Sequence, residues 1–159
     1  MAFRVCFVCL GNICRSPIAE VVMRRMLEER GLDKQVHVTS AGTGDWHVGD
    51  RADERTLDVL SRHGYDGSEH RARQFVAEMF ADNDLVVVMD KNNLDAVRRL
   101  APKGDDTEVR LLRGFDADAD GTDVPDPYYG GAQGFDDVLT MIEAACHGLL
   151  DRLEDDLRG

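Results

Sequence analysis

A thiol and a guanidinium stand six positions apart near the start of the chain, in Cys9-Leu10-Gly11-Asn12-Ile13-Cys14-Arg15-Ser16-Pro17. That pairing suits a nucleophilic sulfur held beside a bound oxyanion. The run joins an apolar, β-branched stretch, Val5 to Val8, to a segment opened by Ser16-Pro17, so it reads as a loop between a strand and a helix. Backbone N–H groups at a helix N-terminus are unpaired and partly positive, so the amides of Leu10, Gly11, Asn12, Ile13 and Cys14 suit the oxygens of a phosphate. Gly11 and Asn12 tolerate the left-handed backbone that such wrapping needs. Arg15 adds a planar fork for two equatorial oxygens, and the same positive field favours Cys9 as the reactive thiolate.

Other residues imitate chemistry without supporting it. A Cys-x5-Arg spacing by itself is common, and only its place between a strand and Ser-Pro gives it weight. Cys6-Phe7-Val8-Cys9 has the form of a metal-binding pair. Positions three apart on a strand face opposite sides, however, and no second pair follows, so Cys6 reads as core and no metal is expected. Asp116-Ala117-Asp118-Ala119-Asp120-Gly121 resembles the start of a calcium loop, but Pro127 holds the twelfth position and Val124-Pro125 precludes the following helix. It reads as a solvated, mobile acidic loop. No cofactor is implied.

The elements that must position the loop follow from periodicity. Ile18, Val22 and Met26 recur at helical spacing after Pro17, and Gly31 ends the run. Val36 to Thr39 reads as a strand leading to the loop Ala41-Gly42-Thr43-Gly44, and Ala52 to Arg62 as a helix closed near Gly64. Leu85 to Met89 is the most continuous apolar run, as in a strand covered on both faces. A helix from about Asn92 to Leu100 ends before Pro102, Val109 to Leu112 supplies a fourth strand, and Phe135, Val138, Leu139, Ile142, Cys146 and Leu149 form one stripe of a last helix. Strands alternating with helices predict a three-layer α/β fold: a twisted, four-stranded parallel sheet with helices on both faces and ligands at the carboxyl ends of the strands.

The totals set bounds. At 159 residues, with 43% hydrophobic and 31% charged, the chain fits a single domain, 1–159, that needs no disulfide staples. A net charge of −12 argues against a nucleic-acid groove or an anionic membrane as partner. No charged leader precedes a long apolar run at the N-terminus, and no run is long enough to span a bilayer, so a cytoplasmic protein is expected.

The loop resembles the signature of the low-molecular-weight protein tyrosine phosphatases, and the likeness extends over nearly the whole chain. It rests on Val8 to Glu20, Ser40-Ala41-Gly42 with Asp45-Trp46, His70 to Gln74, Met89-Asp90 and Asp126-Pro127-Tyr128-Tyr129-Gly130. The resemblance implies a flavodoxin-like sheet, Cys9 as nucleophile and tyrosine-phosphorylated proteins as substrates. Departure of a phenol requires a proton on its oxygen, and hydrolysis of phosphocysteine then requires a base. Asp126 suits both steps, because Pro125 and Pro127 restrict its backbone. The resemblance gives it the same role, although an Asp between prolines is often only a turn residue. Ser16 suits hydrogen bonding to the Cys9 thiolate or, equally, plain helix capping. Trp46, Tyr128 and Tyr129 match the walls of an aromatic slot, with simple surface packing as the alternative. Asn12, Ser40 and His70 match positions that hold the loop's shape. The resemblance also implies a tyrosine kinase acting on Tyr128 or Tyr129, a Cys9–Cys14 disulfide under peroxide, and a monomer or weak homodimer.

Three neighbouring readings are weaker. Arsenate reduction passes electrons through cysteines in the middle of the chain, and residues 15–145 contain none. Arginine phosphatases resemble the chain too, but carry Thr at the position of Ile13 and lack the paired tyrosines. A phosphocysteine carrier or phosphotyrosine-binding module is the non-enzymatic reading; a carrier would have to protect phosphocysteine from water, which a carboxylate at Asp126 opposes.

Overall fold

The computed structural model of the chain describes residues 2–158. Its strands are β1 Phe3–Cys9, β2 Val36–Gly42, β3 Leu85–Val88 and β4 Glu108–Leu111, all paired parallel in the order β2-β1-β3-β4. The helices are α1 Arg15–Glu29, α2 Glu54–Arg62, α3 Met79–Asp82, α4 Lys91–Leu100 and α5 Ala132–Arg158.

Alternation along β1 sorts the core into two layers. Val5, Phe7 and Cys9 face α1 and α5, where they meet residues such as Ile18, Val22, Leu139 and Ile142. Cys6 and Val8 face the other way, toward Phe75, Phe80 and Val97. All four residues of β3 are buried, as its unbroken apolar run requires. From β1 the chain moves outward to β2 on one side and later to β3 on the other, so a crevice opens at the carboxyl end of β1. The loop beginning at Cys9 lies there.

Several boundaries differ from expectation, each with a physical reason. Strand β2 runs on through Gly42, whose N–H donates to Arg73 O at 2.8 Å while its O accepts from Phe75 N at 2.6 Å. A Cβ at Gly42 would lie 2.8 Å from Leu10 O, so only glycine lets the two loops approach this closely. Helix α1 begins at Arg15, which leaves Pro17 in the first turn, where its missing N–H costs nothing. Helix α3 and the 3₁₀ turn Leu112–Phe115 are four residues each, too short to leave a periodic signal. Arg113 reaches the acidic loop, donating to the exposed Asp120 Oδ1 at 2.6 Å and to Asp123 O at 2.9 Å. Among the described residues, no helix is long and apolar enough to cross a membrane.

Candidate active site

The loop after β1 turns its carbonyls outward. Cys9 O and Leu10 O accept from Thr43 N and Gly44 N, each at 2.9 Å. Asn12 O accepts from His70 Nε2 at 2.7 Å, and Ile13 O from Asp53 N at 2.9 Å and Thr56 Oγ1 at 3.0 Å. A trans peptide points its N–H opposite its C=O, so the amides of Leu10, Gly11, Ile13 and Cys14 turn to the inside of the curl. The amide of Asn12 donates to Cys9 Sγ at 3.3 Å. The hollow so formed is a ring of N–H groups around one sulfur, at the N-terminus of α1.

Asn12 holds this shape from a left-handed backbone, φ 57°. Its Oδ1 accepts from Arg73 N at 2.9 Å, and an amide N–H only donates, so Nδ2 is the atom that faces Ser16 Oγ at 2.8 Å and Ser40 Oγ at 3.0 Å. With Asn12 donating into it, Ser16 keeps its own hydrogen for Cys9 Sγ at 3.0 Å or Ala41 O at 3.4 Å. Ser16 therefore does not cap α1: it sits second in the helix with its hydroxyl on Cys9, and the residue at the cap, Cys14, makes no capping side-chain bond. Ser40 passes its hydrogen to Glu20 Oε1 at 2.5 Å. His70, donating to a carbonyl, carries its proton on Nε2, and burial keeps the ring's pKa below the ordinary histidine value.

Arg15 is 2% exposed, so its charge needs partners. Nη1 donates to Asp90 Oδ2 at 2.6 Å and to Val124 O at 2.9 Å, and Nη2 lies 3.5 Å from Asp126 Oδ2. Burial opposes the charge, but Cys9, Asp90 and Asp126 outweigh it and hold the guanidinium more firmly protonated than a free arginine. Asp90 divides its carboxylate: Oδ2 takes Arg15, while Oδ1 accepts Asn93 N at 2.8 Å and caps α4. The cap fixes the carboxylate and the carboxylate fixes the arginine.

Cys9, Ile13, Cys14 and Arg15 form the base of a cavity of about 320 Å³. Leu10 and Gly11 lie on its rim, and Trp46, His47, Asp126, Tyr128 and Tyr129 form its walls. Trp46 and Tyr129 are 69% and 90% exposed, so the walls are open to a large partner. Asp126 Oδ1 accepts Tyr128 N at 3.0 Å, which orients the carboxyl within its turn. The two tyrosine rings meet edge to face with centroids 5.0 Å apart.

The loop residues, Asp126 and the three aromatic residues named from the sequence thus meet at one cleft, with Ser16, Ser40 and His70 behind the loop. Asp90, Glu20, Arg73 and His47 had no role assigned from the sequence. Asp90 left a signal in Asp-x-x-Asn directly after an apolar strand, a capping pattern. The other three touch the site only through tertiary contacts. The remaining cysteines are reduced and buried. Burial pushes the thiol of Cys14 up to about 12 and that of Cys6 up to about 11.

A parallel sheet that delivers a thiol, an arginine and a carboxylic acid to one amide-lined hollow has the layout of a thiol-based phosphatase. The comparisons agree. Residues 4–158 match the family described as low molecular weight phosphotyrosine protein phosphatase. A low molecular weight protein-tyrosine-phosphatase of Streptomyces coelicolor is 53% identical, over 100% of this chain and 98% of its own. The protein tyrosine phosphatase of Entamoeba histolytica superposes with a TM-score of 0.93 at 35% identity, covering 98% of this chain and 99% of the other. A Drosophila protein described as an arginine phosphatase shares the fold at a TM-score of 0.87 and 30% identity, covering 94% and 96%. The chain belongs to the low-molecular-weight phosphotyrosine protein phosphatase family.

Proposed function

We propose that the protein hydrolyses phosphotyrosine in proteins through a phosphocysteine formed on Cys9. The supporting observation is the convergence of Cys9 Sγ, the Arg15 guanidinium and the Asp126 carboxyl on one cleft. Arg15 and the inward amides of residues 10–14 hold the phosphoryl oxygens as negative charge shifts onto them. The Cys9 thiolate forms a bond to phosphorus as the phosphorus–oxygen ester bond breaks, and Asp126 gives its proton to the departing phenolate oxygen. Water then attacks phosphorus, Asp126 takes its proton, and the sulfur–phosphorus bond breaks to return the thiolate and release phosphate. The Ser16 hydroxyl stabilises the sulfur as a leaving group, with Asn12, Ser40 and His70 holding the loop's shape. Every step uses groups of this chain and water.

Trp46, Tyr128 and Tyr129 receive an aryl ring, and Ile13 at the base is apolar and offers nothing to a substrate guanidinium. Because an arginine phosphatase shares the fold, the phosphotyrosine assignment rests on these side chains. Tyr129 is exposed enough for a tyrosine kinase, and Cys14 lies beside Cys9 for a disulfide after peroxide oxidation. The test is turnover of p-nitrophenyl phosphate without added metal. Cys9→Ser should abolish it, and Asp126→Ala should lower it by about 10²-fold, because hydrolysis of the phosphocysteine loses its base. Undiminished turnover in Cys9→Ser overturns the proposal, and preference for phosphoarginine over phosphotyrosine overturns the substrate.

A further inference from the structure

Arg55 does not line the cleft, yet it grips the turn that carries Asp126. Asp53 holds its guanidinium through Nε and Nη2, each 3.0 Å from a carboxylate oxygen. Nη1 is left to donate to Tyr128 O at 3.0 Å and Gly130 O at 3.4 Å. The guanidinium also lies over two rings, 5.3 Å from that of Tyr128 and 4.7 Å from that of Phe135 in the first turn of α5. Tyr128 is therefore held at its carbonyl and its ring by Arg55, while its N–H fixes Asp126 Oδ1 at 3.0 Å.

The other end of this strut is the phosphate loop. Asp53 N, at the cap of α2, and Thr56 Oγ1, in its first turn, both donate to Ile13 O. Asp53 also accepts Arg55 N at 2.8 Å as the cap of that helix, and the hydrogen bonds from Arg55 hold its carboxyl below the usual carboxylate range. An unbroken path thus runs from Ile13 through Asp53, Arg55 and Tyr128 to the carboxyl of Asp126.

We propose that Arg55, held by Asp53, is a positioning residue that sets Asp126 and the Tyr128 wall at a fixed distance from the phosphate loop. This rests on Asp126 being the proton donor. An acid displaced by about 1 Å costs on the order of 10²-fold, and the flanking prolines keep part of the placement. The loss must also depend on how much the leaving group needs a proton.

The experiment compares kcat/KM for phenyl phosphate, whose phenolate is strongly basic, with that for p-nitrophenyl phosphate, whose leaving group departs readily unprotonated. Arg55→Ala is expected to lose about 10-fold on the first and under about 3-fold on the second. Asp53→Asn keeps an acceptor for the α2 cap but removes the charge, and should show the same selectivity at smaller amplitude. Asp126→Asn is the reference and should show the largest selectivity. Equal losses on both substrates in Arg55→Ala and Asp53→Asn, with Asp126→Asn selective, overturn the strut and leave the acid in place. A non-selective Asp126→Asn removes the acid assignment, and the strut with it.

Discussion

Replacing Asn12 by alanine removes the side chain on which the shape of the phosphate loop depends. Asn12 Oδ1 is the side-chain acceptor for Arg73 N, and its loss leaves that part-buried donor short of a partner at about 1–2 kcal/mol. Ser16 and Ser40 each lose a donor but keep another partner, Cys9 or Ala41 O for the first and Glu20 for the second, so their share is small. The backbone remains at φ 57°, which for alanine costs about 1 kcal/mol more than for asparagine. The sum is about 2–3 kcal/mol, or a fall in Tm of roughly 4–12 °C for a chain of this size. Asn12→Gly relieves the strain without restoring the hydrogen bonds and should recover about 0.5–1 kcal/mol over Asn12→Ala. Thermal unfolding by circular dichroism gives the stabilities, and turnover of p-nitrophenyl phosphate gives the cost of a misshapen loop, about 10²-fold in kcat/KM. A Tm within 2 °C of wild type in Asn12→Ala, on the order of 1 kcal/mol or less by the same conversion, refutes the reasoning; so does a glycine variant less stable than the alanine one.

Two glycines separate stability from activity. At Gly148, within α5, an added Cβ would lie 1.8 Å from Phe115 O, so Gly148→Ala should lower Tm by about 4 °C or more although alanine is the better helix former. At Gly44 the Cβ would lie 1.7 Å from the exposed Trp46 ring, which is free to swing away; Gly44→Ala should leave Tm nearly unchanged and raise KM for aryl phosphates several-fold. His70 has its folded pKa depressed by burial, so the unfolded chain binds its proton first on acidification. Its contribution is therefore present above the ordinary value of 6.5 and is lost as pH falls through 6.5 toward the folded value. Urea unfolding across that range should show wild-type stability falling more steeply than that of His70→Gln.

Sequence alone revealed whatever is carried by periodicity or by special backbone chemistry. The unbroken apolar run of β3, the stripe of α5 and the Cys9 loop between a β-branched strand and Ser-Pro each constrain structure within a few residues. What stayed hidden depends on residues far apart in the chain. The extension of β2 to Gly42 comes from pairing with Phe7, Val8 and Cys9 of β1, with residues 73–75 bonding its last residue from the other side. The Asp-x-x-Asn pattern after β3 could have marked Asp90 as a helix cap, but its hold on Arg15 is a contact across 75 positions. The choice between capping and sulfur for Ser16 turned on Asn12, whose orientation is set by the amide of Arg73.

The most direct measurement is to quench Asp126→Ala within its first turnover of an aryl phosphate and map covalent phosphate by mass spectrometry. A phosphoryl group on the peptide bearing Cys9, absent when Cys9 is serine, is the expected result. Protein that turns over substrate with no covalent phosphate, or with phosphate on any other residue, contradicts it.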